Sequence, residues 1–237
     1  MTIRNRKVAV IHDWLNGMRG GEKVLEAILD LFPNADIFTL FLDADRISDK
    51  IKSHPIVTSS LNKRNWIKKR YRSFLPMLPA AVESFDLKGY DLVISSSHCV
   101  AKGIIPEPDT LHVSYIHSPM RYIWDQYDAY FGHLKGLKRS IVSTMTSRLR
   151  VWDVTSAARV DRFIANSTFV RSRIQKFYRR DAAVLNPPID TDFYAPAPKS
   201  DPPSSRDFFL TVSALVPYKR IDLLIEGFNR TGDKLVI

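Results

Sequence analysis

Four short stretches set glycine, polar or charged residues where a buried strand gives way to a helix. In HDWLNGMRGGEKV, Gly17, Gly20 and Gly21 form a loop that runs straight into a helical pattern. Glycines let a backbone come close to a ligand, and the free N–H groups of a helix start attract phosphate or a partly negative oxygen. The spacing is not G-x-G-x-x-G, which argues against a dinucleotide site. A plain tight turn is an equal reading. In LHVSYIHSPMRYIWDQYDAYF, His117 closes a strand that Pro119 stops from continuing. A histidine there can bond a substrate hydroxyl or stabilise charge, although a purely structural role is the commoner one. Arg121 next to it suits an anion, while Tyr122 and Trp124 could stack on sugar rings, sit at a membrane interface or face the core. In IANSTFVRSRI, Asn166 and Ser167 end a strand and start a helix, with Ser167 as a simple N-cap the expected role. In VSALVPYKRIDLLIEGF, Lys219 and Arg220 follow Pro217 at a helix start. Two cations there oppose the helix dipole unless a diphosphate offsets them.

The elements that must hold these residues alternate. KVAVIHDW, ADIFTLFLD, YDLVISSS, LHVSYIH, DRFIANS and AAVLNPP read as strands, and Gly20–Phe32 and Ser167–Tyr178 as helices. Alternation of this kind predicts an α/β fold with a parallel sheet flanked by helices on both faces. Such sheets bind ligands beyond the carboxyl ends of their strands, which is where His117 and the glycine loop fall. Residues 1–194 form one domain, and the Pro/Ser-rich 195–206 reads as a linker. Residues 207–237 restart the pattern and are expected to open a second domain that continues past Ile237.

The chain has 237 residues, 45% of them hydrophobic, with 35 Lys+Arg against 25 Asp+Glu and a net charge of +10. That balance favours anionic partners and excludes a disordered or fibrous chain. The densest basic block, Asn62–Phe74, interleaves Lys68, Lys69 and Arg70 with Trp66 and other aromatics. It suits an anionic bilayer surface or, equally, a solvated helix face. Nucleic acid is not expected, because no recognition motif accompanies the block. No apolar run is long enough for a membrane span or a cleavable signal, and Cys99 is the only cysteine, so a reducing cytoplasm is expected.

In order, six motifs carry a resemblance: HDWLNGMRGGEKVLEAILDLFPNADIFTL, YDLVISSSHCVAKG, YIHSPMRYIWD, RVDRFIANS, NPPIDTDFY and LVPYKRIDLLIEGFN. Together they resemble bacterial glycosyltransferases of the GT4 group, above all the mannosyltransferase-like members of O-antigen and exopolysaccharide assembly. The resemblance implies a GT-B fold, two Rossmann-like domains facing across a cleft, of which this sequence holds the first and the start of the second. It implies metal-independent, retaining sugar transfer without a cofactor. The expected donor is a nucleotide sugar, GDP-mannose in first place, and the expected acceptor a lipid-linked saccharide at the inner membrane face. On that basis His117 is the active-site histidine. Gly20 and Gly21 approach the donor phosphate, with Asn166 and Ser167 beside them. Lys219 and Arg220 meet the diphosphate. Arg121, Tyr122, Trp124 and the Trp66, Lys68, Lys69, Arg70 group face acceptor or membrane. Two departures lower the activity expected of this chain. Ala214 stands where the family carries a diphosphate-clamping Arg, and the family's Glu-x7-Glu pair would fall after Ile237. A non-catalytic acceptor- or membrane-binding domain is therefore the alternative.

Overall fold

The computed structural model of the protein describes residues 6–195, 208–216 and 219–237. The linker expected at 195–206 lies, apart from Ala195, outside the described residues.

Seven parallel strands form the main sheet in the order β3-β2-β1-β4-β5-β6-β7. They are β1 Val8–His12, β2 Asp36–Thr39, β3 Ile56–Thr58, β4 Leu92–Ser97, β5 Leu111–Ile116, β6 Arg162–Ala165 and β7 Ala183–Val184. Helices α1 Gly20–Leu31, α2 Asp49–Lys52, α3 Asn65–Lys69, α4 Leu78–Glu83, α5 Tyr127–Phe131, α6 Gly136–Ala157 and α7 Thr168–Tyr178 make the crossovers with short 3-10 turns. All five residues of β1 and all six of β4 are buried, as a strand covered on both faces requires. Alternate residues serve the two faces. Val8 and Val10 pack with Leu25 and Leu29 of α1, while Ala9 and Ile11 pack with Ala81 and Val82 of α4 and Leu149 of α6.

From β1 the chain proceeds to β2 on one side, and from β4 to β5 on the other. The sheet therefore reverses its winding between β1 and β4, and their carboxyl ends open the crevice where α/β sheets bind ligands. The fold is the expected Rossmann-like one.

The strands are shorter than the apolar runs suggested. β1 stops at His12 because the next residues leave the ladder: Leu15 N–H bonds the Phe41 carbonyl (2.8 Å) and Asp13 turns aside to accept other donors. Helix α6, with 22 residues the longest described, went unread in the sequence. Its buried positions include Thr146, Asp153 and Ser156, so a hydropathy period does not mark its inner face.

That polar inner face is fully used. Lys102 Nζ lies 2.8 Å from both the Asp153 carboxylate and the Asp153 carbonyl, and 2.6 Å from Ser156 Oγ. Three partners match the three hydrogens of an ammonium group. Trp124 Nε1 (2.8 Å) and the Tyr178 hydroxyl (3.0 Å) also donate to Asp153. This buried pair joins the loop after β4, the loop after β5, α6 and α7. A buried ion pair is tolerable only when its remaining donors and acceptors are met in this way.

Strands β8 Phe209–Leu210 and β9 Leu235–Val236 pair in parallel, joined by α8 Ile221–Thr231. Phe209 packs on Phe228 at 5.2 Å between ring centroids. This is one β-α-β unit, with Val212, Leu215 and Leu223 exposed.

Candidate active site

The site grows out of strand register. His12 and Ser96 are partners on the last rung between β1 and β4. Ser97 pairs with Ile116 across β4 and β5, and the His117 N–H then bonds the Ser97 carbonyl at 2.9 Å. Side chains alternate along a strand, so His12 shares its face with Val8 and Val10, and Ser96 with Leu92 and Ile94. The α1 helix covers that face. Ser96 Oγ lies 3.1 Å from His12 Nδ1 and 2.8 Å from His117 Nε2, tying the two imidazoles through one hydroxyl.

Gly21 sits above them at the start of α1. A Cβ there would stand 3.6 Å from His12 Cε1 and 3.8 Å from His117 Cε1 and Nε2, ordinary contact distances. A Cβ on Gly20 would meet nothing within 4 Å, and neither glycine has positive φ. Internal packing therefore demands neither glycine.

Asn166 and Ser167 complete this edge. Asn166 Nδ2 donates to the His117 carbonyl at 3.0 Å, and Asn186 Nδ2 donates to the Asn166 carbonyl at 3.0 Å. Ser167 Oγ accepts the Val170 N–H (3.2 Å), the expected N-cap, and donates to Asn166 Oδ1 (3.0 Å). Both residues thus hold the strand end carrying His117.

Next in the chain, Asp13 is buried and accepts four backbone N–H groups, from His98 (2.7 Å), Cys99 (2.9 Å), Val100 (2.6 Å) and Ala101 (2.7 Å). His98 Nδ1 lies 3.1 Å from the same carboxylate, and its ring meets Trp14 edge-on at 4.5 Å. The sequence reading passed over His12, Asp13, Glu22, Ser96 and His98. The only signals were the HD pair and the SSS run at two strand ends.

Burial holds His117 neutral and pushes its pKa down to about 3, with His12 and His98 adding to the effect. Burial also takes His112 down to about 4. A histidine whose folded pKa is depressed binds fewer protons folded than unfolded, so stability must fall as pH drops below the ordinary value of about 6.5. Each of the two should remove up to about 1.4 kcal/mol per pH unit between pH 6 and 4. Urea titrations at pH 7 and pH 5 check this, and equal midpoints would contradict it.

Other expected site residues lie elsewhere. Tyr122 and Trp124 turn inward. The Tyr122 hydroxyl is 2.6 Å from Cys99 Sγ, and Trp124 stacks on Phe177 at 4.6 Å while its Nε1 bonds Asp153. Of the readings open for these rings, core packing is the one the structure displays; Arg121 is exposed beside them. Trp66 on α3 is 57% exposed and meets Phe74 edge-on, with Lys68 partly buried and Arg70 exposed. The Lys69 side chain lies outside the described residues.

Lys219 and Arg220 line, with Thr211, Leu224, Phe228 and Asp233, an open cleft of about 650 Å³ that runs along α8 from its start to its end. Arg220 pairs with Asp222 at 3.1 Å, so this helix start already carries one neutralising carboxylate. The two-cation argument for a diphosphate is weaker by that much. Ala214 is exposed in the same segment, and Pro217 lies outside the described residues.

Among curated proteins no sequence matches this chain. Two solved structures are among those that share its fold. One is the apo form of the lipopolysaccharide outer core galactosyltransferase WaaB, 17% identical with a TM-score of 0.53 over 97% of this chain and 59% of the other. The second is Anabaena Alr3699/HepE in complex with UDP and glucose, 14% identical with a TM-score of 0.54 over 95% of this chain and 58% of the other. The chain thus spans less than two thirds of the length of either. Residues 18–193, most of the sequence and with it Gly20, Gly21, Ser96, His117, Asn166 and Ser167, match Glycosyltransferase Family 4. The chain belongs to glycosyltransferase family 4.

Proposed function

We propose that residues 1–194 are the acceptor-side domain of a nucleotide-sugar glycosyltransferase and that residues 207–237, after a linker at 195–206, open its donor domain. The observation that carries this is the convergence of His117 with Gly21, a glycine that internal packing does not require. In this reading His117 orients the donor sugar and Gly20 and Gly21 let its phosphate approach the α1 N-terminus. Lys219, with Arg220, neutralises the diphosphate as the leaving group departs. The reaction needs no metal or cofactor. Family membership and the UDP- and glucose-bound relative support a nucleotide sugar. Within that class the sequence motifs favour GDP-mannose and transfer with retention.

The proposed acceptor is a lipid-linked saccharide of surface polysaccharide assembly, met at the inner membrane face. No helix of the described residues is long and apolar enough to cross a membrane. Two surfaces suit peripheral contact. One is the Trp66, Lys68, Lys69, Arg70 group on and after α3. The other is the first half of α6, where Leu137, Ile141 and Met145 are exposed on successive turns beside Lys138 and Arg139. Exchanging Lys68, Lys69 and Arg70 for Glu is expected to weaken sedimentation with phosphatidylglycerol vesicles at least about 100-fold, since each basic residue near such a surface is worth about 1 kcal/mol. Retained binding would return the block to a solvated face.

The function is tested by supplying GDP-mannose, UDP-glucose or UDP-galactose with a membrane lipid extract and following sugar incorporation, with NMR of the product anomer. Use of a UDP-sugar alone would sink the donor assignment, and an inverted anomer the retaining one. Ala214 favours a second reading, a non-catalytic acceptor- or membrane-binding domain. That reading predicts vesicle or glycolipid binding without turnover of any donor.

A further inference from the structure

We propose that Glu22, His12 and Ser96 form a positioning relay that holds His117 as its Nε2–H tautomer, leaving Nδ1 as an acceptor for a sugar hydroxyl. The choice of ligand rests on the functional reading above, whereas the relay is a property of the free protein.

A hydroxyl carries one hydrogen. Ser96 Oγ stands within hydrogen-bond distance of His12 Nδ1 and His117 Nε2, so it donates to one ring and accepts from the other. For two neutral rings only two arrangements result. If Ser96 donates to His12 Nδ1, His12 carries its proton on Nε2, and His117 donates from its own Nε2. If Ser96 donates to His117 Nε2, His12 has a bare Nε2 and His117 carries its proton on Nδ1.

Glu22 decides between them. His12 Nε2 is buried without a hydrogen-bond partner and faces the Glu22 carboxylate at 3.9 Å. The other carboxylate oxygen is fixed by the Arg19 N–H at 3.0 Å. Burial works against the charge on Glu22, while the N–H groups of Glu22 and Arg19 favour it. A bare nitrogen lone pair facing an anion is repelled, and an N–H facing it is attracted. The first arrangement is therefore favoured. The proton of His117 then points at Ser96, and Nδ1 can accept from a hydroxyl but has nothing to offer a carboxylate.

Long-range 15N–1H correlation of the imidazoles tests this at pH 7.5 on the full chain, with His117 assigned from His117→Gln. The expected spectrum has His117 mainly as Nε2–H. In Glu22→Gln the amide can donate to His12 Nε2, which reverses the relay, so His117 should shift to mainly Nδ1–H. Should that variant not fold, Ser96→Ala, which removes the shared hydroxyl, should turn His117 into a mixture of both tautomers. An Nδ1–H majority in the wild type, or a tautomer that does not move in the folded variant, would overturn the relay. Turnover that depends on His117 beside an Nδ1–H spectrum would refute the relay alone. An Nε2–H spectrum in a protein that transfers no sugar would refute the functional reading alone.

Discussion

Replacing His117 with alanine is expected to lower sugar transfer about 100- to 1,000-fold, the usual loss when one preorganised hydrogen-bonding group is removed from a reacting centre. The fold should survive. The contacts that place this residue run through its backbone: its N–H bonds the Ser97 carbonyl, and its carbonyl accepts from Asn166 Nδ2. Alanine keeps both. The side chain contributes one hydrogen bond, to Ser96, worth about 1 kcal/mol net. Initial rates in a form of the enzyme that turns over a nucleotide sugar, with circular dichroism and melting temperature alongside, separate the two effects. Unchanged turnover in a folded variant would remove His117 from the mechanism.

Asp13→Ala should do the reverse and strike stability. Its carboxylate gathers the N–H groups of four consecutive residues, His98 to Ala101, in the turn after β4. Alanine leaves those donors without an acceptor, three of them on buried residues. At roughly 1 kcal/mol or more per unsatisfied group the cost is at least about 4 kcal/mol, a large share of the 5–15 kcal/mol that is usual for a domain. Asp13→Asn should cost less, because the amide oxygen still serves two of the four donors and only the amide nitrogen faces the other two. The urea midpoint reads both, and a shift of under about 1 kcal/mol for alanine would mean that water reaches this turn. If the turn loosens, Lys102 and its pairing with Asp153 should loosen with it, since Lys102 directly follows Ala101.

Much of this was legible without coordinates. Alternating apolar runs and helical periods locate β1, β2, β4, β5 and β6, and they dictate a parallel sheet because each strand is followed by a crossover. Ser167 caps α7 as its residue type and place predict. Where reading failed, the failures have causes. α6 buries Thr146, Asp153 and Ser156 and exposes Leu137, Ile141 and Val151, so its hydropathy pattern points away from its inner face. For the aromatics after His117 the sequence leaves sugar stacking, a membrane interface and the core open; the partners that Tyr122 and Trp124 have within the fold, Cys99, Phe177 and Asp153, are ones that no local pattern discloses.

The sequence by itself determined the α/β class and the position of His117 and the glycine loop at strand ends, because each follows from neighbours a few residues apart, while six motifs in order along the chain carried the family resemblance. Only the tertiary structure decided that His12 and Ser96, 84 positions apart, share a rung, and that Ser96 then reaches His117. It alone set Asp13 among amides 85 to 88 positions away. Register between parallel strands is fixed by how both faces of the sheet bury their side chains together. A one-residue slip would turn Ser96 toward the other face, and that cooperative packing is a property of the whole sheet rather than of any stretch of it.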